Sequence, residues 1–177
     1  GAGLGARADA EPAPFELHAH SHRRVTFGEG CEEFPSFLPD GKRLVYDATV
    51  GHHAHLYVLD LDSGERTQLT TSPGWDFAAS TSPDGQHAVF LRFDRDGRFA
   101  YELEFSSGEL RRLGEGSTRP TYTSDGREVW AGPREAPQRI DRSTGRVLET
   151  LSLPGLQAAW SVRALPNGAR AIAFPAT

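Results

Sequence analysis

A short turn signal returns at nearly constant intervals along this chain. Pro39-Asp40-Gly41 recurs as Pro83-Asp84-Gly85 and, in altered form, as Ser124-Asp125-Gly126 and Pro166-Asn167-Gly168, at spacings of 44, 41 and 42 residues. Between the first two copies the register holds without a gap. Val25-Thr26 aligns with Leu69-Thr70, Gly30 with Gly74, and Ser63-Gly64-Glu65 with Ser107-Gly108-Glu109. A period of about 40 residues marks a supersecondary unit that cannot bury its apolar surface alone and has to stack on its neighbours.

Each copy reads as four short strands. An inner strand such as Phe34 to Leu38 runs into the Asp-Gly turn, where both residues tolerate positive φ. The second strand is apolar on both faces: Leu44-Val45-Tyr46, Ala88-Val89-Phe90-Leu91, Val129-Trp130-Ala131 and Ala171-Ile172-Ala173-Phe174. Such runs predict strands held between two sheets. The third strand alternates, with Phe99, Tyr101, Leu103 and Phe105 set against Ala100, Glu102 and Glu104. A Ser-Gly turn then leads to the fourth, seen at Arg66 to Thr70 and Leu110 to Leu113. Helical periodicity of useful length is missing, and the 19 glycines and 12 prolines fit a turn-rich chain. The expectation is an all-β fold, a β-propeller of four-stranded antiparallel blades, three complete and a split or composite fourth.

The string Leu69-Thr70-Thr71-Ser72-Pro73-Gly74-Trp75-Asp76, followed by Ser82-Pro83-Asp84-Gly85, resembles the TolB-type, WD-repeat-like propeller unit. Leu56-Tyr57-Val58-Leu59-Asp60-Leu61-Asp62-Ser63-Gly64-Glu65 resembles the outer half of that unit, and the likeness runs over residues 23 to 177. It implies a bacterial source and a periplasmic or extracytoplasmic setting, as in bacterial periplasmic TolB-like proteins and the sensor propellers of bacterial serine/threonine kinases. It also implies a non-catalytic module that recognises a protein, peptide or cell-envelope ligand. The alternative it leaves is a gating propeller of a prolyl-oligopeptidase-type peptidase.

Residues 1–14, rich in Ala, Gly and Pro, read as a flexible lead-in, and 15–27 as outer strands of a preceding or composite blade. Blades are expected over 28–71, 72–115 and 116–151, with the inner half of another over 152–177. Pairing of 15–27 with 157–174 would close a four-bladed ring, whereas the favoured alternative is part of a larger propeller. With no methionine at residue 1, the chain is expected to be a processed product or part of a longer, membrane-anchored protein. No apolar run is long enough to span a bilayer. The formal net charge is −5, with no basic stripe, which argues against nucleic-acid binding.

In a propeller, the loops between second and third strands and those between blades emerge at one end, and loops on a rigid scaffold carry function. That end is expected to gather Cys31, Glu32, Glu33, Trp75, Asp76 and Arg119 from inter-blade loops, with Asp47, His52, His53, His55, Arg92, Asp94, Asp96 and Arg134 from intra-blade loops. Trp75, in a Pro-Gly loop, is the preferred ligand-stacking residue. Trp130 aligns with Val45, Val89 and Ile172 and is assigned to the core. His52, His53 and His55 have the chemistry of a zinc or copper site, as do His18, His20 and His22 on one strand face, but a solvated loop is the favoured reading. Asp94-Arg95-Asp96-Gly97 echoes a calcium loop without its terminal Glu, and turn formation explains it. Cys31 has no activating neighbour in sequence. No nucleophile elbow, zinc helix or phosphate loop is present. Neither catalysis nor a cofactor is expected.

Overall fold

A computed structural model describes residues 23–28, 30–152, 154–155, 158–164 and 171–175. Three antiparallel four-stranded sheets follow one another along the chain. Blade one is β1 (Glu32–Phe37), β2 (Arg43–Val50), β3 (His53–Asp60) and β4 (Arg66–Gln68). Blade two is β5 (Trp75–Thr81), β6 (His87–Asp94), β7 (Gly97–Glu104) and β8 (Leu110–Glu115). Blade three is β9 (Thr121–Tyr122), β10 (Glu128–Ala131), β11 (Gln138–Asp141) and β12 (Val147–Thr150), and β13 (Ala159–Ala164) pairs with β14 (Ala171–Pro175) in a fourth, two-stranded sheet. In every blade the strands lie side by side in chain order. The molecule is an all-β propeller built of successive blades.

The recurring Asp-Gly signal closes the same loop three times. In blade one Leu38 N–H donates to Arg43 O and Gly41 N–H to Leu38 O, at 2.8 and 3.0 Å. Asp40 Oδ1 accepts the Lys42 N–H, which holds its carboxyl below the usual range. Gly41, Gly85 and Gly126 have φ of 67°, 70° and 70°, and Asp84 and Asp125 accept from Gln86 and Arg127 in the manner of Asp40. The signal thus specifies a four-residue loop with a left-handed glycine rather than a two-residue hairpin turn.

Strand alternation then decides what packs on what. Val45 and Leu56 on blade one meet Phe90, Leu103 and Ala79 of blade two, all buried. The opposite side of β6 and β7, through Val89 and Ala100, packs with Tyr122, Val129, Ala131 and Ile140 of blade three. A side chain such as Phe90, with no exposed surface, contributes on the order of 2–3 kcal/mol through removal from water. Polar stitches accompany the apolar contact: Thr81 donates its backbone N–H to Ser36 Oγ at 3.1 Å and its hydroxyl to Phe37 O at 2.6 Å. Leu44, Tyr46, Ala48, Tyr57 and Leu59 form a third cluster on the side of blade one away from blade two.

Residues 23–28 form no strand. They run beside blade one, where Arg23 donates to Leu61 O at 2.9 Å. The rest of the outer-strand pair expected over 15–27 lies outside the described residues, as do the lead-in and His18, His20 and His22. Trp130 is 4% exposed, on the face of blade three that β13 packs against, as its alignment with the apolar second strands required. Trp130→Ala is expected to lower stability by about 3–5 kcal/mol through the cavity it leaves, measured by urea denaturation. Unchanged stability would contradict this packing.

Candidate functional site

The inner strands bulge at one end of the molecule. Register shifts fall between Glu33 and Ser36 in β1, between Phe77 and Ser80 in β5, and between Ala159 and Ser161 in β13. Phe34 and Ala78, 44 positions apart, have φ of 48° and 56° and are the non-glycine residues with positive φ among those described. Such backbone costs on the order of 1–3 kcal/mol and persists only where its surroundings enforce it. One enforcing contact is visible: Asp47 Oδ1 accepts the Ala78 N–H at 3.0 Å across the boundary between blades one and two. At the corresponding place before β9, Arg119 donates its N–H to Trp160 O at 2.6 Å and bridges in parallel to Ser161. Its guanidinium lies 3.9 Å over the Phe34 ring and 5.0 Å from Trp160, whose ring also carries Arg134 at 4.3 Å.

Two glycines let the inter-blade loops reach this end. A Cβ on Gly74 would sit 2.6 Å from Phe93 O, and one on the equivalent Gly30 would collide with Thr49 O. The loop entering each blade therefore lies directly against the end of that blade's second strand, which is the physical reason for the Gly30 and Gly74 match in sequence.

Between blades one and two this arrangement encloses a pocket of about 290 Å³, lined by Glu33, Phe34, Asp47, Thr49, Ala54, Trp75, Phe77, Phe93 and Arg98. Trp75 and Phe93 are exposed at its rim, 45% and 44%. Glu33 and Asp47 are direct cross-strand partners, so two carboxylates share one side of blade one. Asp47 is only 4% exposed. Burial pushes its carboxyl up to about 7, the Ala78 N–H opposes this, Glu33 adds to it, and Arg119 opposes it. Arg119 itself is lowered by burial against the pull of Asp47 and Glu33.

The other loop residues are placed elsewhere. Glu32 alternates to the far side of blade one, where its Oε1 is 3.9 Å from Arg66 Nη1 in a separate concavity of about 510 Å³ with Gly28 and Gly30. His52 lies in the β2–β3 turn, while His53 and His55 stack with centroids 6.2 Å apart. The pleat that sends Ala54 into the pocket turns His53 and His55 away from it. Among the described residues no three His, Cys, Asp or Glu side chains form a group able to hold a metal. Asp76 and Arg92 meet each other: Arg92 Nε and Nη2 donate to the Asp76 carboxylate at 2.6 and 2.9 Å, and Ser72 Oγ adds a third bond at 3.0 Å. Asp76 is wholly buried and Arg92 also faces the Tyr101 ring at 4.9 Å, so this pair braces blade two and does not present itself to a ligand. Asp94 accepts the Asp96 N–H at 2.8 Å in the β6–β7 turn. Arg134 reaches Trp160, away from the pocket, and Cys31 is exposed.

Of the residues singled out by sequence, Glu33, Asp47 and Trp75 thus line one pocket. Phe34, Phe77, Phe93 and Arg98 were missed. Phe93 is carried by a strand end whose face follows from counting alternation onward from the Asp-Gly loop, but the bulges at Phe34 and Ala78, the second of which resets the face of Phe77, have no signal in residue type.

A sequence profile of the TolB beta propeller domain matches residues 14–169. The Tol-Pal system protein TolB of Wolinella succinogenes is 24% identical over 132 residues, covering 73% of this chain and 31% of that protein. The crystal structure of TolB from Acinetobacter baumannii superposes with a TM-score of 0.73 at 24% identity, over 86% of this chain and 40% of that one. A putative TolB from Agrobacterium tumefaciens gives 0.68 at 23% identity, over 86% and 61%. The chain therefore spans between about a third and three fifths of the length of these relatives. At such identities the structural likeness concerns the fold.

Two outcomes follow from the geometry. Arg92→Met leaves Asp76 buried without its cation and is expected to cost about 3–5 kcal/mol of stability in chemical denaturation. For Asp47, the folded value near 7 lies above the ~3.9 of an unfolded aspartate, so the folded chain keeps a proton that the unfolded chain has released between those values. The stability this group contributes is complete below about pH 4 and is lost as the pH rises through about 7. Asp47→Asn, which keeps an Oδ1 acceptor for Ala78, is expected to flatten that part of the pH–stability profile. An unaltered slope would contradict the assignment.

Proposed function

Since the chain belongs to the TolB beta propeller domain family, we propose that it works as a non-catalytic binding module that captures a protein or peptide ligand at the end of the propeller where the inner strands bulge. The observation that carries this reading is the pocket between blades one and two, in which exposed Trp75 and Phe93 stand above buried Asp47. Exposed aromatics beside a fixed polar group make the sort of concavity in which a partner's side chain is anchored. The scaffold beneath is rigid in the required sense: the walls are strand ends of two blades pinned by the Asp47–Ala78 and Ser36–Thr81 contacts. Recognition by shape and polarity, without a chemical step, is what such a surface supplies.

The reading includes an extracytoplasmic setting, in keeping with the resemblance of the repeat to periplasmic propellers, and a place within a larger sensor or envelope protein. Among the described residues no helix is long and apolar enough to cross a membrane.

The test is selection of a random-peptide library displayed on phage against the full chain, with Trp75→Ala in parallel. Trp75 is largely at the surface, so the substitution is expected to move the melting temperature by no more than about 2 °C. Loss of an interface anchor is expected to weaken the selected peptides by about tenfold or more. Failure to enrich any peptide, or equal binding to the Trp75→Ala protein, would refute the proposal.

A further inference from the structure

The pocket holds two carboxyl groups, Glu33 and Asp47, to which the chain itself brings no cation at contact distance. Glu33 and Asp47 face each other across the β1–β2 ladder, an arrangement that repels when both are ionised. Among the described residues no Lys, Arg or His lies within ion-pair distance of either. The nearby cations rest on rings of the pocket wall and not on its carboxyl groups: Arg119 on Phe34 at 3.9 Å, and the exposed Arg98, itself a lining residue, on Phe93 at 5.0 Å. The contrast with the other end of the molecule is sharp. There Glu102, equally buried, takes Arg111 at 2.7 Å, Arg142 at 2.5 Å and the Tyr122 hydroxyl at 3.0 Å.

The aromatic walls carry the complementary observation. Along this chain guanidinium groups repeatedly settle over rings, as Arg66 does on Tyr57 at 3.7 Å and Arg112 on Phe99 at 3.6 Å. Trp75, the largest ring of the pocket, has no cation over it among the described residues and remains 45% exposed. An indole face beside two carboxylates is a receptor for a positive charge, since the ring quadrupole and the anions attract the same ligand.

We propose that the pocket between blades one and two receives the cationic side chain of a lysine or arginine from a protein partner, held over Trp75 and paired with Glu33 and Asp47. The inference rests on the binding-module reading and names the chemistry its ligand brings. The positive charge meets the buried Asp47 carboxyl beneath exposed Trp75 and Glu33, relieves the repulsion between the two carboxylates and leaves the Asp47 bond to Ala78 in place. A neutral side chain of equal length gains only the aromatic contact.

Four acetylated, amidated tripeptides of the form Gly-X-Gly, with X lysine, arginine, norleucine or glutamate, provide the test by titration into the full 15N-labelled chain. The Trp75 indole N–H signal, identified by its loss in Trp75→Phe, is the readout. The lysine and arginine peptides are expected to shift it and to bind about tenfold or more tightly than the norleucine peptide. Asp47→Asn is expected to remove most of that preference, and Glu33→Gln, at an exposed position that leaves the fold untouched, to reduce it about threefold or more. Equal binding of norleucine and lysine peptides would overturn the proposal while leaving the pocket a ligand site. So would a lysine preference untouched by both carboxylate substitutions, or a Trp75 signal that none of the four peptides moves. The binding-module reading falls separately, on a phage selection that enriches nothing.

Discussion

Burial of each blade's middle strands on both faces is the constraint from which the rest of this molecule follows. The second and third strands of blade two are enclosed on one side by Val45 and Leu56 of blade one and on the other by Val129 and Ile140 of blade three. A single four-stranded sheet of this composition would leave both of those faces in water, so no blade is stable as an isolated unit. The nearly fixed repeat length is a consequence, because each copy must deliver its apolar strands at the same depth as the copy before. The Asp-Gly loop and the close-packed Gly30 and Gly74 set that depth at the two ends of the sheet, one through a left-handed φ and the other through the absence of a Cβ.

Radial stacking also dictates where polar groups are forced out of water. Two buried carboxyl groups bridge neighbouring blades, and the structure treats them in opposite ways. Glu102 is surrounded by two guanidinium groups and the Tyr122 hydroxyl, whose own ionisation is pushed far up by burial and by the adjoining negative charge. It is a brace between blades two and three. Asp47 has a backbone N–H and a neighbouring carboxylate, with cations facing it only from beyond contact distance. A fully satisfied buried network favours one packing, whereas a buried carboxylate lacking a counter-ion costs free energy that a suitable ligand returns. The pocket at the bulged ends of the inner strands is where that incomplete compensation meets exposed aromatic surface. Positive φ at Phe34 and Ala78 belongs to the same economy of form: the strand departs from regular pairing just where it opens the wall of the pocket.

How far the site was legible in the sequence is visible in single residues. Glu33, Asp47 and Trp75 were placed at the loop end from their position in the repeat, and they come together. His53 and His55 share that end but point from the other face of β3, and the two-residue pleat alone accounts for it. Asp76 and Arg92 looked like separate polar candidates, 16 positions apart, until cross-strand register made them one buried ion pair. Cross-strand partners of this kind are fixed by where a bulge falls, and neither Phe34 nor Ala78 announces a bulge by its chemical type.

The sequence by itself determined the repeat unit, its four strands, the loop that closes each inner pair and the apolar strands destined for the core. These depend on local rules, on alternation, turn chemistry and spacing, which the order of residues states directly. Only the tertiary structure decided which charges are compensated and which are left facing a pocket. Compensation depends on the distance between side chains of different blades, and that distance is set by how sheets twist and pack against one another, at separations of dozens of residues along the chain.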